Sequence, residues 1–289
     1  MSVVLITGCS SGFGLEAALA FARRGDTTCA TMRNLAKSDA LRKRAADEGL
    51  EIEVVELDVT DDASVAKAMA EIHERFGPVD VLVNNAGVGY AGAVETVAID
   101  DARALMETNF WGAFRMIQAV VPEMRGRRSG VVVNVSSLAG RIPGTLYQGM
   151  YAASKHALGT LSESLAGELD PFGVRVVCIE PGFFSTEIIA NAEGIDDGIA
   201  ASEYGPDGTW FQSFMTGSVQ TGADPAVVAD AIVQAAADPN TPLHREVGDD
   251  AELFIALWDQ TRTYESWMAT AIPIVEQTAG PRPKPAPAP

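Results

Sequence analysis

The sequence predicts an α/β fold: a single domain built on a doubly wound parallel sheet of about seven strands, with helices on both faces. Three observations predict it. Short runs rich in Val and Ile alternate with longer stretches at helical spacing along most of the chain. Those runs lack polar alternation, as expected of strands buried on both faces of a parallel sheet. The first run also ends in a glycine-rich turn that leads directly into a helical pattern, the start of a β-α-β unit.

A first strand is expected over Val3–Thr7. In the helix after it, Leu15, Ala18, Leu19 and Ala22 form one apolar stripe, and Gly25 stands just past the end, where a left-handed cap is needed. A second strand over Thr27–Thr31 precedes a helix from about Lys37 to Glu48, charged on its outer face. Ile52–Leu57, Val81–Asn84, Val131–Val135 and Val174–Ile179 continue the strand series. Two long helices are expected around Asp101–Met124 and Tyr151–Leu169.

From Val176 to Leu243 there is no Lys or Arg. This stretch holds Pro181-Gly182, the aromatic clusters Phe183-Phe184 and Trp210-Phe211 with Phe214, and several glycines, so no single regular element can span it. It reads as an excursion over the end of the sheet, with a substrate loop at about 183–222. The cluster Trp210, Phe211, Phe214 and Met215 fits ordinary core and substrate wall equally well. The domain is expected to run over 1–280, followed by an extended, disordered Pro/Ala tail over 281–289.

The 289 residues carry 39 acidic and 21 basic side chains, a formal charge of −18. Such a chain repels phosphate backbones and anionic lipid, which argues against nucleic-acid and membrane partners. No run approaches the roughly 18 apolar residues of a membrane span, and the N-terminus lacks the basic region of a secretory signal. Cys9, Cys29 and Cys178 are odd in number, far apart and set in or beside apolar runs, which predicts buried reduced thiols and a cytoplasmic location. With neither CxxC nor HExxH, no metal site is expected.

The turn Thr7-Gly8-Cys9-Ser10-Ser11-Gly12-Phe13-Gly14 lies between the first strand and the first helix. Gly8 permits the sharp turn, Gly12 lets a pyrophosphate approach the backbone, and Gly14 lets the helix pack close to the sheet. The helix N-terminus adds oriented N–H groups, so the turn reads as a dinucleotide site in which Ser10 and Ser11 serve as caps, phosphate ligands or both. At the end of the second strand an NAD-selective site would place an acid. Here Met32 stands there and Arg33 follows, and a guanidinium pairs well with a 2′-phosphate. NADP(H) is therefore expected over NAD(H), against the simpler reading of Arg33 as a solvated strand-end arginine.

Four further features lie downstream: Asn84-Asn85-Ala86-Gly87 after the fourth strand, Asn109 in a helical stretch, Asn134-Val135-Ser136-Ser137 at the end of the fifth strand, and Tyr151-Ala152-Ala153-Ser154-Lys155 opening a helix. Residues four apart share a helix face, so Tyr151 and Lys155 point the same way. A lysine beside a phenol is expected to lower the tyrosine pKa toward working pH and make it a usable general acid or base.

Taken together, TGxxxGxG, NNAG, the helical Asn, the strand-end Ser, YxxxK and Pro181-Gly182 with Thr186 resemble the short-chain dehydrogenase/reductase superfamily in its compact Rossmann-type form, over roughly Val3 to Asp250. The runs Val4–Gly12 and Ala30–Arg33 are similar to its hydroxysteroid- and retinol-dehydrogenase-like branch, in which NADP(H) is common. The resemblance implies that Tyr151 exchanges a proton with the substrate oxygen and that Ser137 orients that oxygen. It implies that Lys155 binds the nicotinamide ribose and depresses the Tyr151 pKa, and that Asn109 holds a relay water. Thr7, Gly8, Ser10, Ser11, Gly12, Phe13, Gly14, Arg33, Asp58, Val59, Asn85, Ala86, Gly87, Tyr151, Lys155, Pro181, Gly182 and Thr186 would contact the cofactor. It also implies a homodimer or homotetramer through the two long helices.

One departure stands out. Ser137 lies fourteen residues before Tyr151, one more than is usual in the family. Ser137 is preferred to Ser136 because Ser-Ser-Leu-Ala-Gly matches in ungapped order, and neighbouring strand side chains face opposite ways.

The expected activity is NADP(H)-dependent interconversion of a secondary alcohol and a ketone or aldehyde. With Phe183, Phe184, Ile188, Ile189 and Trp210 near the pocket and no cation, the substrate is expected to be a neutral, largely apolar small molecule. A β-ketoacyl-type reductase, docking a carrier through Arg125, Arg127 and Arg128, and a catalytically silent NADP-sensing protein are the alternatives.

Overall fold

The strands pair side by side, the central ones burying both faces and the edge ones staying partly polar. In the computed structural model, which describes residues 1–186 and 203–284, they form one seven-stranded parallel sheet. Its strands are β1 (Val3–Ile6), β2 (Thr27–Met32), β3 (Glu53–Glu56), β4 (Val81–Asn84), β5 (Gly130–Val135), β6 (Val174–Pro181) and β7 (His244–Val247), in the order β3-β2-β1-β4-β5-β6-β7. β7 had no named counterpart in the sequence reading. It is a short, mostly polar edge strand without the Val/Ile signature.

The helices are α1 (Gly12–Arg23), α2 (Asp39–Glu48), α3 (Asp62–Phe76), α4 (Ile99–Met106), α5 (Gly112–Arg127), α6 (Gly149–Leu169), α7 (Gly205–Gln220), α8 (Ala226–Ala237), α9 (Asp249–Thr261) and α10 (Tyr264–Ala279). β1 shows how the two layers divide. Val4 and Ile6 point into a core shared with α1, α2 and α8, while Leu5 points into one shared with α3, α5 and α6. All three are fully buried, each worth roughly 1.5–3 kcal/mol against exposure. Gly25, with φ +84°, turns the chain after α1 as expected.

The strand order reverses between β1 and β4, so the connections after them leave in opposite directions and a crevice opens at their C-terminal ends. The cation-free stretch is less irregular than expected. It contains the end of β6, α7 and all of α8, and α8 returns to the core through Val228, Ile232 and Ala235. Ile188 and Ile189 lie outside the described residues.

α9 and α10, for which the sequence reading had no role, fold over the C-terminal end of the sheet and meet α7. The expected detached tail is held at its start, because the Arg282 guanidinium pairs with Asp207; residues 285–289 lie outside the described residues. Among the described residues no helix is long and apolar enough to cross a membrane. Cys9, Cys29 and Cys178 are free and buried.

Candidate active site

The loops leaving β1 and β4 are tied into one cradle. Thr7 Oγ1 accepts hydrogen bonds from the Asn85 and Ala86 N–H groups, both at 3.0 Å, and Asn85 Nδ2 donates to Thr7 O at 2.8 Å and Gly8 O at 3.1 Å. Gly8 has φ +74°, and a Cβ there would stand 2.8 Å from Ala86 Cα. At Gly14 a Cβ would collide with Gly8 O and Asn85 Nδ2. The α1 N-terminus therefore sits against the turn with its N–H groups facing the crevice. Ser11 is the N-cap residue yet makes no side-chain cap hydrogen bond, so capping does not occupy its hydroxyl.

The crevice deepens into a cavity of about 770 Å³, lined by most of the expected residues: Gly8, Ser10, Ser11, Gly12, Phe13, Arg33, Asp58, Val59, Asn85, Ala86, Gly87, Ser137, Tyr151, Lys155, Pro181, Gly182 and Thr186. Thr7, Gly14 and Asn109 stand behind its wall. Thr7 and Gly14 fix the cradle from beneath. Asn109 is buried in a π-turn, Glu107–Trp111, between α4 and α5, a feature often found at functional sites. Its Oδ1 accepts from Val88 N at 2.8 Å, and its Nδ2 donates to Val88 O at 3.0 Å and Ser154 Oγ at 3.2 Å. That amide thus clasps the loop following Gly87 rather than pointing into the cavity.

At one end, the loop after β2 brings Arg33 to the cavity together with Lys37, which the sequence reading passed over. Asn34 caps the short turn between them by accepting from Ala36 N at 3.0 Å. Among the described residues neither cation has a carboxylate partner. No helical spacing joins the two, because Asn34 is extended and Lys37 ends a single 3-10 turn. Opposite them, Asp58 Oδ1 accepts from Thr60 N at 2.9 Å and Thr60 Oγ1 at 2.7 Å, which fixes the loop after β3.

Midway along the cavity the two strand-end serines part. Both line the cavity, but Ser136 is buried and its Oγ donates to Lys155 O at 3.1 Å, whereas Ser137 is half-buried and its Oγ accepts from Ala139 N at 3.1 Å. Tyr151 and Lys155 project from the first turns of α6. The Lys155 ammonium donates to Val135 O at 3.0 Å and lies 5.8 Å from the centre of the Tyr151 ring.

Burial pulls the Lys155 pKa down to about 8. It also pushes the Tyr151 phenol above its ordinary value, with a hydrogen bond from Ser137 acting the other way. The expected lowering by Lys155 is not what sets the shift: burial strips the phenolate of hydration, and the ammonium points to a backbone carbonyl instead. His156 is exposed, its Nδ1 paired with Ala152 O at 3.0 Å, as a helix-surface residue should be.

The other end of the cavity is apolar. Phe211, Phe214 and Met215 of α7 line it, whereas Trp210 does not, so the aromatic cluster is wall and core at once. The facing wall is Phe254 of α9 and Trp267, Met268, Ala271, Ile272 and Val275 of α10. The four-residue spacing of Trp267, Ala271 and Val275 was the sequence signal for this wall.

Cys178, Glu180 and His244 bring potential metal ligands together. However, Glu180 already pairs with Arg141 at 2.8 Å and His244 at 2.7 Å, and burial pushes the Cys178 thiol up to about 12. The donor set is thus an ion-pair network with a protonated thiol.

Residues 2–194 match the family model for short chain dehydrogenase. The chain is 43% identical to retinol dehydrogenase 8 of Homo sapiens over 188 residues, 64% of this chain and 59% of that protein, so it spans less than two thirds of that relative's length. It is 34% identical to 3-ketodihydrosphingosine reductase of Bacteroides thetaiotaomicron over 261 residues, 88% of this chain and 90% of that one. A crystal structure of a short-chain dehydrogenase from Streptomyces avermitilis shares 36% identity and superposes with a TM-score of 0.76, over 93% of this chain and 96% of that one. The crowded glycine cradle fits a dinucleotide, and with these likenesses the chain belongs to the short-chain dehydrogenase/reductase family, as a nicotinamide-dependent enzyme of its retinol- and hydroxysteroid-dehydrogenase-like branch.

Proposed function

We propose that the enzyme uses NADP(H) to interconvert a secondary alcohol and a ketone or aldehyde on a neutral, largely apolar small molecule. The observation that carries this reading is the position of Ser137 and Tyr151: both face the cavity between the glycine cradle and the apolar chamber. The cofactor, when bound, supplies or accepts the hydride.

The backbone of Gly8 to Gly14 and the α1 N-terminus would hold the pyrophosphate, Arg33 and Lys37 the 2′-phosphate, and Asp58 and Val59 the adenine. Asn85, Ala86 and Gly87 would line the ribose, while Pro181, Gly182 and Thr186 hold the carboxamide. The Ser137 hydroxyl donates to the substrate oxygen and orients it. Tyr151, whose raised pKa keeps the phenol protonated at neutral pH, gives its proton to that oxygen during reduction and takes it back during oxidation. Lys155 would stabilise the phenolate that forms as the proton leaves, and would hold the ribose. Asn109 acts through the Val88 loop, and a relay water near Lys155 belongs to the same proposal.

A ketone on a long acyl chain is the nearest variant of this reading, supported by the apolar chamber and by the likeness to a ketosphingosine reductase. Docking of an acidic carrier through the basic patch has less support. Arg127 is spent on Val79 O at 2.8 Å and Arg128 on Pro171 O at 2.7 Å, leaving Arg125 lying over Phe172. A homo-oligomer through α4, α5 and α6 is part of the proposal; the exposed Ile99 and Trp111 support it.

The test is an NADPH-consumption screen over ketones and aldehydes, repeated with NADH. Turnover of hydrophobic ketones with a preference for NADPH is expected. Turnover of small keto acids alone would overturn the substrate class.

A further inference from the structure

We propose that Tyr147, Asp207 and Arg282 form a clamp that holds α7 across the apolar end of the cavity and so selects bulky carbonyl compounds. The proposal rests on the reading above that this end takes the substrate. Tyr147 lies in the stretch between Ser137 and Tyr151 that is one residue longer than usual. Its φ of +56° is rare for a bulky side chain and persists only where surrounding contacts hold it. Two contacts do so. Its carbonyl accepts from Gly92 N at 2.7 Å, and its hydroxyl donates to Asp207 Oδ2 at 2.6 Å.

The same carboxylate receives a two-pronged pair from Arg282, Nε to Oδ1 and Nη2 to Oδ2, each 2.7 Å. Asp207 sits in the first turn of α7, where the helix dipole favours an anion. Arg282 is anchored in turn: its N–H donates to Glu276 Oε1 at 3.0 Å, and its guanidinium lies 5.7 Å from the centre of the Trp210 ring. The Trp210 indole N–H reaches Gly280 O at 2.7 Å.

One partly buried carboxylate thus joins three segments far apart in the chain, and none of the three side chains lines the cavity. The geometry gives the clamp a defined output. The next turns of α7 carry Phe211, Phe214 and Met215 into the cavity, facing Met268 and Ile272 of α10. Fixing α7 to the end of α10 sets the gap between these walls. A large apolar substrate depends on both walls, whereas a small ketone needs only Ser137 and Tyr151.

The test uses the full-length enzyme with NADPH and two ketones, bulky 1-decalone and small cyclohexanone. Arg282→Gln and Tyr147→Phe are expected to raise KM for 1-decalone by about five- to tenfold. The cyclohexanone KM, kcat and the NADPH Kd should stay within about twofold, and Arg282→Lys should recover part of the loss. Hydrogen exchange over 205–220 should speed up in Arg282→Gln at an unchanged melting temperature. An equal KM change on both ketones, or none on either, overturns the specificity role. Unchanged exchange overturns the clamp. A wild-type enzyme that reduces neither ketone overturns the reading of the site and, with it, the specificity role, while the exchange measurement still judges the clamp separately.

Discussion

The two ends of the cavity are built on different principles. The cofactor end is made of main chain: Gly8, Gly12 and Gly14 bring backbone close, and Thr7 and Asn85 lock two neighbouring loops together. The proposed substrate end is made of side chains from α7, α9 and α10, brought together from separate elements. Backbone recognition leaves almost no freedom to vary, because a single added carbon strikes an atom that cannot move aside. A side-chain wall can change composition and still remain a wall. On the proposed reading, cofactor binding common to the family belongs to the first end, and the substrate preference that distinguishes this enzyme belongs to the second.

The largest effect should come where the two ends meet. Tyr151→Phe removes only the exchangeable proton, so turnover should fall about 10²–10⁴-fold while calorimetric NADPH binding stays unchanged. Retention of most of the rate would remove Tyr151 as the acid/base. Next, Arg33→Asp replaces a cation with an anion beside the expected 2′-phosphate. The KM for NADPH should rise about 10–100-fold, the range of a lost charged hydrogen bond, while that for NADH holds or improves. An equal rise for both cofactors would sink the NADP(H) preference.

A matched pair then tests the contrast directly. Gly14→Ala forces a methyl onto Gly8 O and the Asn85 amide. It should weaken NADPH binding about tenfold and cost on the order of 1–3 kcal/mol of stability, as overpacking does. Ile272→Ala, on the substrate wall, should leave NADPH binding alone and raise KM for a bulky apolar ketone about three- to tenfold. The comparison fails if the two variants show the same pattern in calorimetry and initial rates.

The same contrast explains what the sequence disclosed. A glycine turn, a YxxxK and an NNAG are local strings whose spacing is their geometry, so the doubly wound parallel sheet and most of the cavity lining were legible. Lys37 was passed over because its relevance depends on a turn capped by Asn34. The α10 wall and the Asp207–Arg282 pair went unread because their partners lie on separate elements, in the second case 75 residues apart. The direction of the Tyr151 shift was misjudged for a related reason: spacing shows that a lysine is near, but only packing shows how much hydration the phenol has lost.

The smallest expected effect concerns the ion-pair network where the two ends join. Glu180, almost fully buried beside Pro181, pairs with Arg141 from the turn that follows Ser137 and with His244 Nδ1; His244 Nε2 reaches Glu163 at 3.0 Å. The hydrogen bond to Glu180 raises the His244 pKa above its ordinary value against the opposing effect of burial. A group whose pKa is raised on folding adds stability fully present below its unfolded value of roughly 6.5. That stability is lost as pH climbs through the higher folded value. His244→Gln keeps a hydrogen-bonding side chain but removes the charge. The wild type should therefore melt on the order of 1–3 °C above this variant at pH 5.5, and the gap should narrow by pH 8.5. A gap that widens toward alkaline pH would mean that His244 is held neutral, and that Arg141 alone compensates Glu180 beneath the turn that follows Ser137.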